Sequence, residues 1–275
     1  MRTDELAARS PETATESNRA STAPSEHNRR FAFMTIGEFS GVNPQVLERL
    51  RVEFPQLEPD QIDIPSWVRA HRGIMVRNLL HVLAERGPGI FRDRSRLWGA
   101  FYRTSYIFRA INKGLNERLA GGGYEFSLQT QSLFDGSVRG VPHFVYTDHT
   151  ELVNRYYPDY DPSLAPPQRW LELERTIYEH ADVTFTMSSN VSRSLVEQYG
   201  IDPARACCVL AGTNVAQTQA SAAIEPDYAS KRILFVGYDW ERKGLTLELP
   251  LGIRLTPKFI AAIQVVGTTA FVSDA

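Results

Sequence analysis

Short apolar runs alternate along this chain with longer stretches whose apolar residues recur every three to four positions. Phe31, Ala32, Phe33, Met34 and Ile36 make the first run, closed by Gly37 and Gly41. This predicts a buried strand over 31–36 entering a glycine-bearing loop. Val46, Leu47 and Leu50 follow at helical spacing, and a short proline-bounded segment lies around 62–64. Over 66–86, Trp67, Ile74, Met75, Leu79, Val82 and Leu83 suit one face of a helix that Gly87-Pro88-Gly89 stops. Over 95–120, Leu97, Trp98, Phe101, Tyr106, Phe108, Ile111, Leu115 and Leu119 predict a second long helix, ended by Gly121-Gly122-Gly123.

Beyond residue 123 the elements shorten and alternate. Strands are predicted over 124–128, 143–146, 183–186, 207–210 and 233–236. Helices are predicted over 170–180 and 191–199, the latter with caps among Ser188, Ser189 and Asn190. Strands separated by helices imply an α/β fold, a Rossmann-like parallel sheet with helices on both faces. Ligands of such sheets bind beyond the carboxyl ends of the strands. The loops after Ile36, Tyr146, Thr186 and Val236 are therefore where chemistry is sought.

Composition narrows the function. Residues 1–30 carry little beyond Leu6 and Met1 to bury, so a disordered tail is expected there. A net charge of −2 argues against a general nucleic-acid binder. No apolar run approaches the roughly 18 residues of a membrane span, and the amino terminus has no signal-like apolar core. Cys207 and Cys208 are adjacent, which gives neither a disulfide framework nor a metal-ligand spacing, and a reduced cytoplasmic setting is expected. Residues 66–120 hold eleven Lys or Arg against three Asp or Glu. Two readings of that excess stand. One is a solvated face on amphipathic helices; the other is a surface meeting an anionic acceptor or an anionic membrane.

Three segments, HFVYTDHT (143–150), YEHADVTFTMSSNVSRSLVEQYGIDPARACCVLAGTNV (178–215) and ILFVGYDWERKG (233–244), together resemble the GT-B glycosyltransferases of family four. The resemblance implies two Rossmann-like domains facing each other across a cleft. Residues 31–222 would form the acceptor-side domain, and 229–275 an incomplete start of the donor-binding domain. It further implies transfer of a hexose from a nucleotide diphosphate sugar to a hydroxyl acceptor, lipid-linked or polysaccharide, with retention of configuration. No cofactor is implied.

The resemblance also names residues. Lys243, just before the second glycine, matches a lysine that supports the donor phosphates. Tyr238 stands where the family often has arginine, and Arg242 either substitutes for it or decorates the turn. A fixed cation there stabilises the charge that grows on the departing diphosphate. His149 resembles a strand-end histidine near the sugar. It can donate to a sugar hydroxyl or orient the reacting centre, with Asp148 to orient it; a loop histidine bonded to backbone is the alternative. Backbone amides at Gly37–Gly41 can approach the donor's phosphates. No metal-ligand cluster appears, and cationic side chains can do the neutralising.

Two features depart from the family. Nothing after Gly244 supplies its E-x7-E pair, and Glu117 and Glu125, spaced that way, lie upstream of the motifs. The stretch 245–259 is broken by Pro250, Gly252 and Pro257. A truncated product with weak or no turnover is therefore expected. The alternative is a non-catalytic remnant that binds acceptor or membrane.

Overall fold

The computed structural model describes residues 29–212, apart from 93, 158–159, 161 and 163–164, together with 233–236 and 263–266. Six strands run parallel in the order β2-β1-β3-β4-β5-β6. They are β1 Arg30–Thr35, β2 Glu58–Asp63, β3 Tyr124–Thr130, β4 His143–Thr147, β5 Val183–Thr186 and β6 Ala206–Cys208. Parallel neighbours need crossovers rather than tight turns. Helices α1 Val42–Glu53, α2 Ile64–Ala70, α3 Arg72–Arg86, α4 Arg94–Phe101, α5 Ser105–Leu119, α6 Glu151–Asn154, α7 Gln168–His180 and α8 Ser189–Glu197 lie between the strands. This is the α/β, Rossmann-like architecture that the alternation predicts. The chain goes from β1 out to β2, then back past β1 to β3. That reversal opens a crevice at the carboxyl ends of β1 and β3.

Side-chain alternation sends each strand's residues to two cores. Phe31 and Phe33 face α1, packing with Leu47 and Leu57. An aromatic row crosses this face, Phe31 on Phe126 at 5.2 Å, Phe126 on Phe144 at 6.2 Å and Phe144 on Phe185 at 6.0 Å. Ala32 and Met34 face the other way, under the α5 stripe Ile107, Ile111, Leu115 and Leu119. Val145 continues that layer beneath Trp170, Ile177 and Tyr178 of α7 and Leu195 of α8.

The two long helices expected over 66–86 and 95–120 are each broken. The first parts at His71, whose backbone (φ −101°, ψ 68°) leaves the helical region. Its Nδ1 lies 2.7 Å from the Trp67 carbonyl oxygen, and its ring packs on the Trp67 ring at 4.3 Å. The second parts after Phe101. Buried Asn78 of α3 donates to the Phe101 carbonyl at 2.8 Å and accepts from the Thr104 hydroxyl. Thr104 Oγ1 in turn caps α5 by accepting from the Ile107 N–H at 3.1 Å. The breaks also turn Leu83 and Trp98 outward, 39% and 45% exposed, rather than into the expected core faces.

Strand β2 begins four residues before the segment expected at 62–64. Its sequence, EPDQID, carries no apolar run because it is an edge strand, with three of its six residues exposed and Ile62 alone buried. The last two residues of the 1–30 stretch, Arg29 and Arg30, belong to the sheet region. Arg30 opens β1, and Arg29 binds Glu125 at 2.7 Å while its carbonyl accepts from the Glu58 N–H. Residues 1–28 lie outside the described residues. Strand β7 Ile233–Val236 falls on the expected 233–236 and pairs in parallel with β8 Ile263–Val266. The remainder of 229–275, with Arg242 and Lys243, lies outside the described residues, as does the boundary at 222.

Candidate functional site at the carboxyl edge

Backbone strain gathers where the strands end. Phe39 (φ 44°), Gln131 (φ 67°) and Leu210 (φ 64°) hold left-handed conformations that cost a side-chain-bearing residue about 1–3 kcal/mol each. They follow β1, β3 and β6, so all three lie past carboxyl ends. Gly37 and Gly41 adopt the same region without that cost (φ 71° and 75°), and Asn43 Nδ2 donates to the Gly37 carbonyl at 2.9 Å. The loop is drawn over the edge by Phe39, whose buried ring meets Tyr146 of β4 edge-on at 5.9 Å. Tyr146 also accepts from the Gln131 N–H through its carbonyl, at 2.8 Å, and donates its hydroxyl to the Leu210 carbonyl at 3.1 Å. One tyrosine thus ties three strained loops together.

Two buried oxygens at this edge are unpartnered among the described residues, Thr130 Oγ1 at the end of β3 and Asn43 Oδ1 in the first turn of α1. A buried polar atom without a partner costs about 1–3 kcal/mol, and a polar ligand or water in the crevice would relieve it. Helix α1 follows Gly41 at its N-cap position with no side-chain cap, and no acidic residue stands in its first turn. Its first turn offers few donors, since the Val42 N–H already donates to the Phe39 carbonyl and Pro44 has no N–H.

Asp148 and His149 leave the end of β4 together. Thr147 closes the strand by donating its hydroxyl to the His149 carbonyl at 2.9 Å. Its register partner Thr186 does the same to Ser188, at 3.0 Å. His149 Nδ1 lies 2.6 Å from Asp148 Oδ1. A carboxylate can only accept, so Nδ1 carries the proton. Nε2 makes no hydrogen bond with the described residues, and the side chain is one-quarter exposed. Burial works against charge on the imidazole, but the bond and charge of Asp148, with Glu174 behind, outweigh it and raise His149 above its usual value. Asp148 moves the opposite way: burial pushes it up, and the bond from His149 brings it below the usual carboxylate range.

A buried polar network carries this turn from beneath. Thr150 caps α6 by accepting from the Val153 N–H at 3.1 Å. The Glu151 N–H donates to Glu174 Oε1 at 3.0 Å, and Glu151 pairs with Arg103 of the α4–α5 turn at 3.2 Å. Glu174, 2% exposed on α7, also accepts from the hydroxyls of Tyr178, at 3.0 Å, and Tyr199. Burial raises Glu174 despite these donors. None of these side chains forms a motif in sequence, because the partners come from four separate segments. They fix where His149 stands.

The amino-terminal edge offers a different surface. A groove of about 690 Å³ runs past Asn112, Asp135, His143, His180 and Asp182. Its acidic and imidazole groups are internally engaged, while Arg139 on its rim is exposed. Asp135 binds His180 at 2.8 Å and the Ser137 N–H at 3.0 Å. His143, 1% exposed, lies 2.8 Å from Ser127 Oγ and 3.2 Å from Gln129 Oε1, and burial pushes it down to about 4. It is a neutral core histidine. The strain and the unpartnered oxygens favour the opposite edge, where the topology also directs ligands.

Of the residues singled out in sequence, Gly37, Asp148 and His149 share the carboxyl edge. Glu117 and Glu125 pair with Lys113 and Arg29, far from it in the fold and in role. Among the described residues no three His, Cys, Asp or Glu side chains gather as a metal site, and no helix is long and apolar enough to cross a membrane. The chain matches no protein-family model and no curated protein.

Proposed function

We propose that the carboxyl edge binds a nucleotide diphosphate sugar and that the chain is glycosyltransferase-like, moving a hexose to a hydroxyl acceptor. The observation that carries this reading is the His149–Asp148 pair beyond β4, with its free Nε2. Neutral, Nε2 accepts from a sugar or acceptor hydroxyl; protonated, it donates to one. The raised imidazole keeps its proton to higher pH than an ordinary histidine, which suits a site where negative charge grows as the glycosidic bond breaks. Backbone amides of the Gly37 loop supply neutral donors for phosphate oxygens. Lys243, and Arg242 beside it, would add fixed positive charge.

Isothermal titration of the chain with nucleotide diphosphate hexoses tests the reading. Micromolar binding is expected, weakened about tenfold or more in both Lys243→Ala and His149→Ala, the usual cost of a lost charged hydrogen bond. Equal affinity in wild type and both variants would reject it.

A further inference from the structure

Helix α3 is apolar on two sides. Val82 packs inward with Asn78, while Val76, Leu80 and Leu83 recur at i, i+4 and i+7 on the outside, 57%, 62% and 39% exposed. The turn that follows, Pro88–Arg92, adds exposed Phe91, and α4 adds exposed Trp98. Three adjoining elements therefore present branched aliphatic and aromatic side chains to the outside. A surface helix normally shows water its polar face, so this stripe calls for a partner.

Charge identifies the partner. Exposed Arg72 and Arg77 stand on α3, and exposed Arg92 and Arg94 begin the path into α4. Arg77 is held over the Tyr106 ring at 5.2 Å. Over 72–101 the acidic residues are Glu85 and Asp93 against six arginines, and the Glu85 carboxylate is turned inward onto Arg169 of α7, leaving that side chain 12% exposed. Apolar side chains bordered by an excess of guanidinium groups, with tryptophan among them, match a bilayer surface. The aliphatic groups enter the acyl boundary and the arginines meet phosphate.

We infer that α3, the 88–92 turn and α4 form a docking face for an anionic lipid bilayer. The face lies away from the carboxyl edge in chemistry, and the inference does not depend on the nucleotide-sugar reading. Co-sedimentation of the full chain with phosphatidylcholine vesicles, with and without about one-third phosphatidylglycerol, tests it with no nucleotide sugar present. Binding to the anionic vesicles alone is expected, weakening as salt is raised. Leu80→Glu is expected to lower the partition coefficient about tenfold or more, with unchanged circular dichroism because the side chain is exposed. Replacing Arg72 and Arg92 together with serine should weaken binding as well and flatten its salt dependence. Equal binding to both vesicle types, binding to neither, or Leu80→Glu binding like wild type would overturn the inference. So would self-association in analytical ultracentrifugation that Leu80→Glu abolishes while vesicles bind neither form, which would assign the stripe to a second copy of the chain.

Discussion

Acidifying the protein from pH 7 to pH 5 should cost stability through one buried histidine. His143 sits in the strand that ends at the candidate site, but its ring is sealed between Ser127 and Gln129. Burial takes it from the usual 6.5 to about 4. The unfolded chain therefore takes up a proton first, and stability rises with pH across that window and is lost as pH falls through it. Each pH unit inside the window is worth about 1.4 kcal/mol. Integrated from pH 7 to pH 5, His143 alone removes about 2 kcal/mol. Urea unfolding at the two pH values, on wild type and His143→Gln, isolates the term, because the variant cannot titrate there whatever its absolute stability. A histidine NMR titration of wild type supplies a second reading if the variant folds poorly. An equal pH loss in wild type and variant, together with a His143 resonance titrating near 6.5, would refute the reasoning.

Two further outcomes follow from the geometry. Asp148→Asn removes the charge that outweighs burial at His149, so the imidazole should fall below its wild-type value in the same NMR titration; no change would detach the two residues. With the pair intact, its stabilisation is present below the usual histidine range and fades as pH rises through the raised value. Gly114 of α5 leaves room for the Trp67 ring, into which an added Cβ would run. Gly114→Ala should destabilise by about 1–3 kcal/mol despite alanine's better helix propensity, and a stabilised variant in thermal melts would contradict this packing.

The sheet was legible where burial is continuous. β5 falls on the predicted 183–186, and β1 within one residue of its apolar run. β2 was hidden because an edge strand with EPDQID needs no apolar run. The breaks at His71 and after Phe101 were hidden for another reason. Tertiary bonds made by Asn78, and side-chain competition for the Trp67 carbonyl, interrupt stretches whose periodicity reads straight through. His149 and Asp148 were visible because they follow a strand directly. Glu174, Tyr178 and Tyr199 were not, since burial alone turns an ordinary acid and two tyrosines into one network.

The central claim is that ligands meet this sheet at its carboxyl edge. The most direct measurement labels the histidine ring carbons and titrates a nucleotide diphosphate hexose into the chain while following His149, His143 and His180. The account predicts a saturable shift at His149, with His143 and His180 at the amino edge unmoved. Saturable shifts at His143 and His180 with His149 silent would place the ligand in the opposite groove and contradict it.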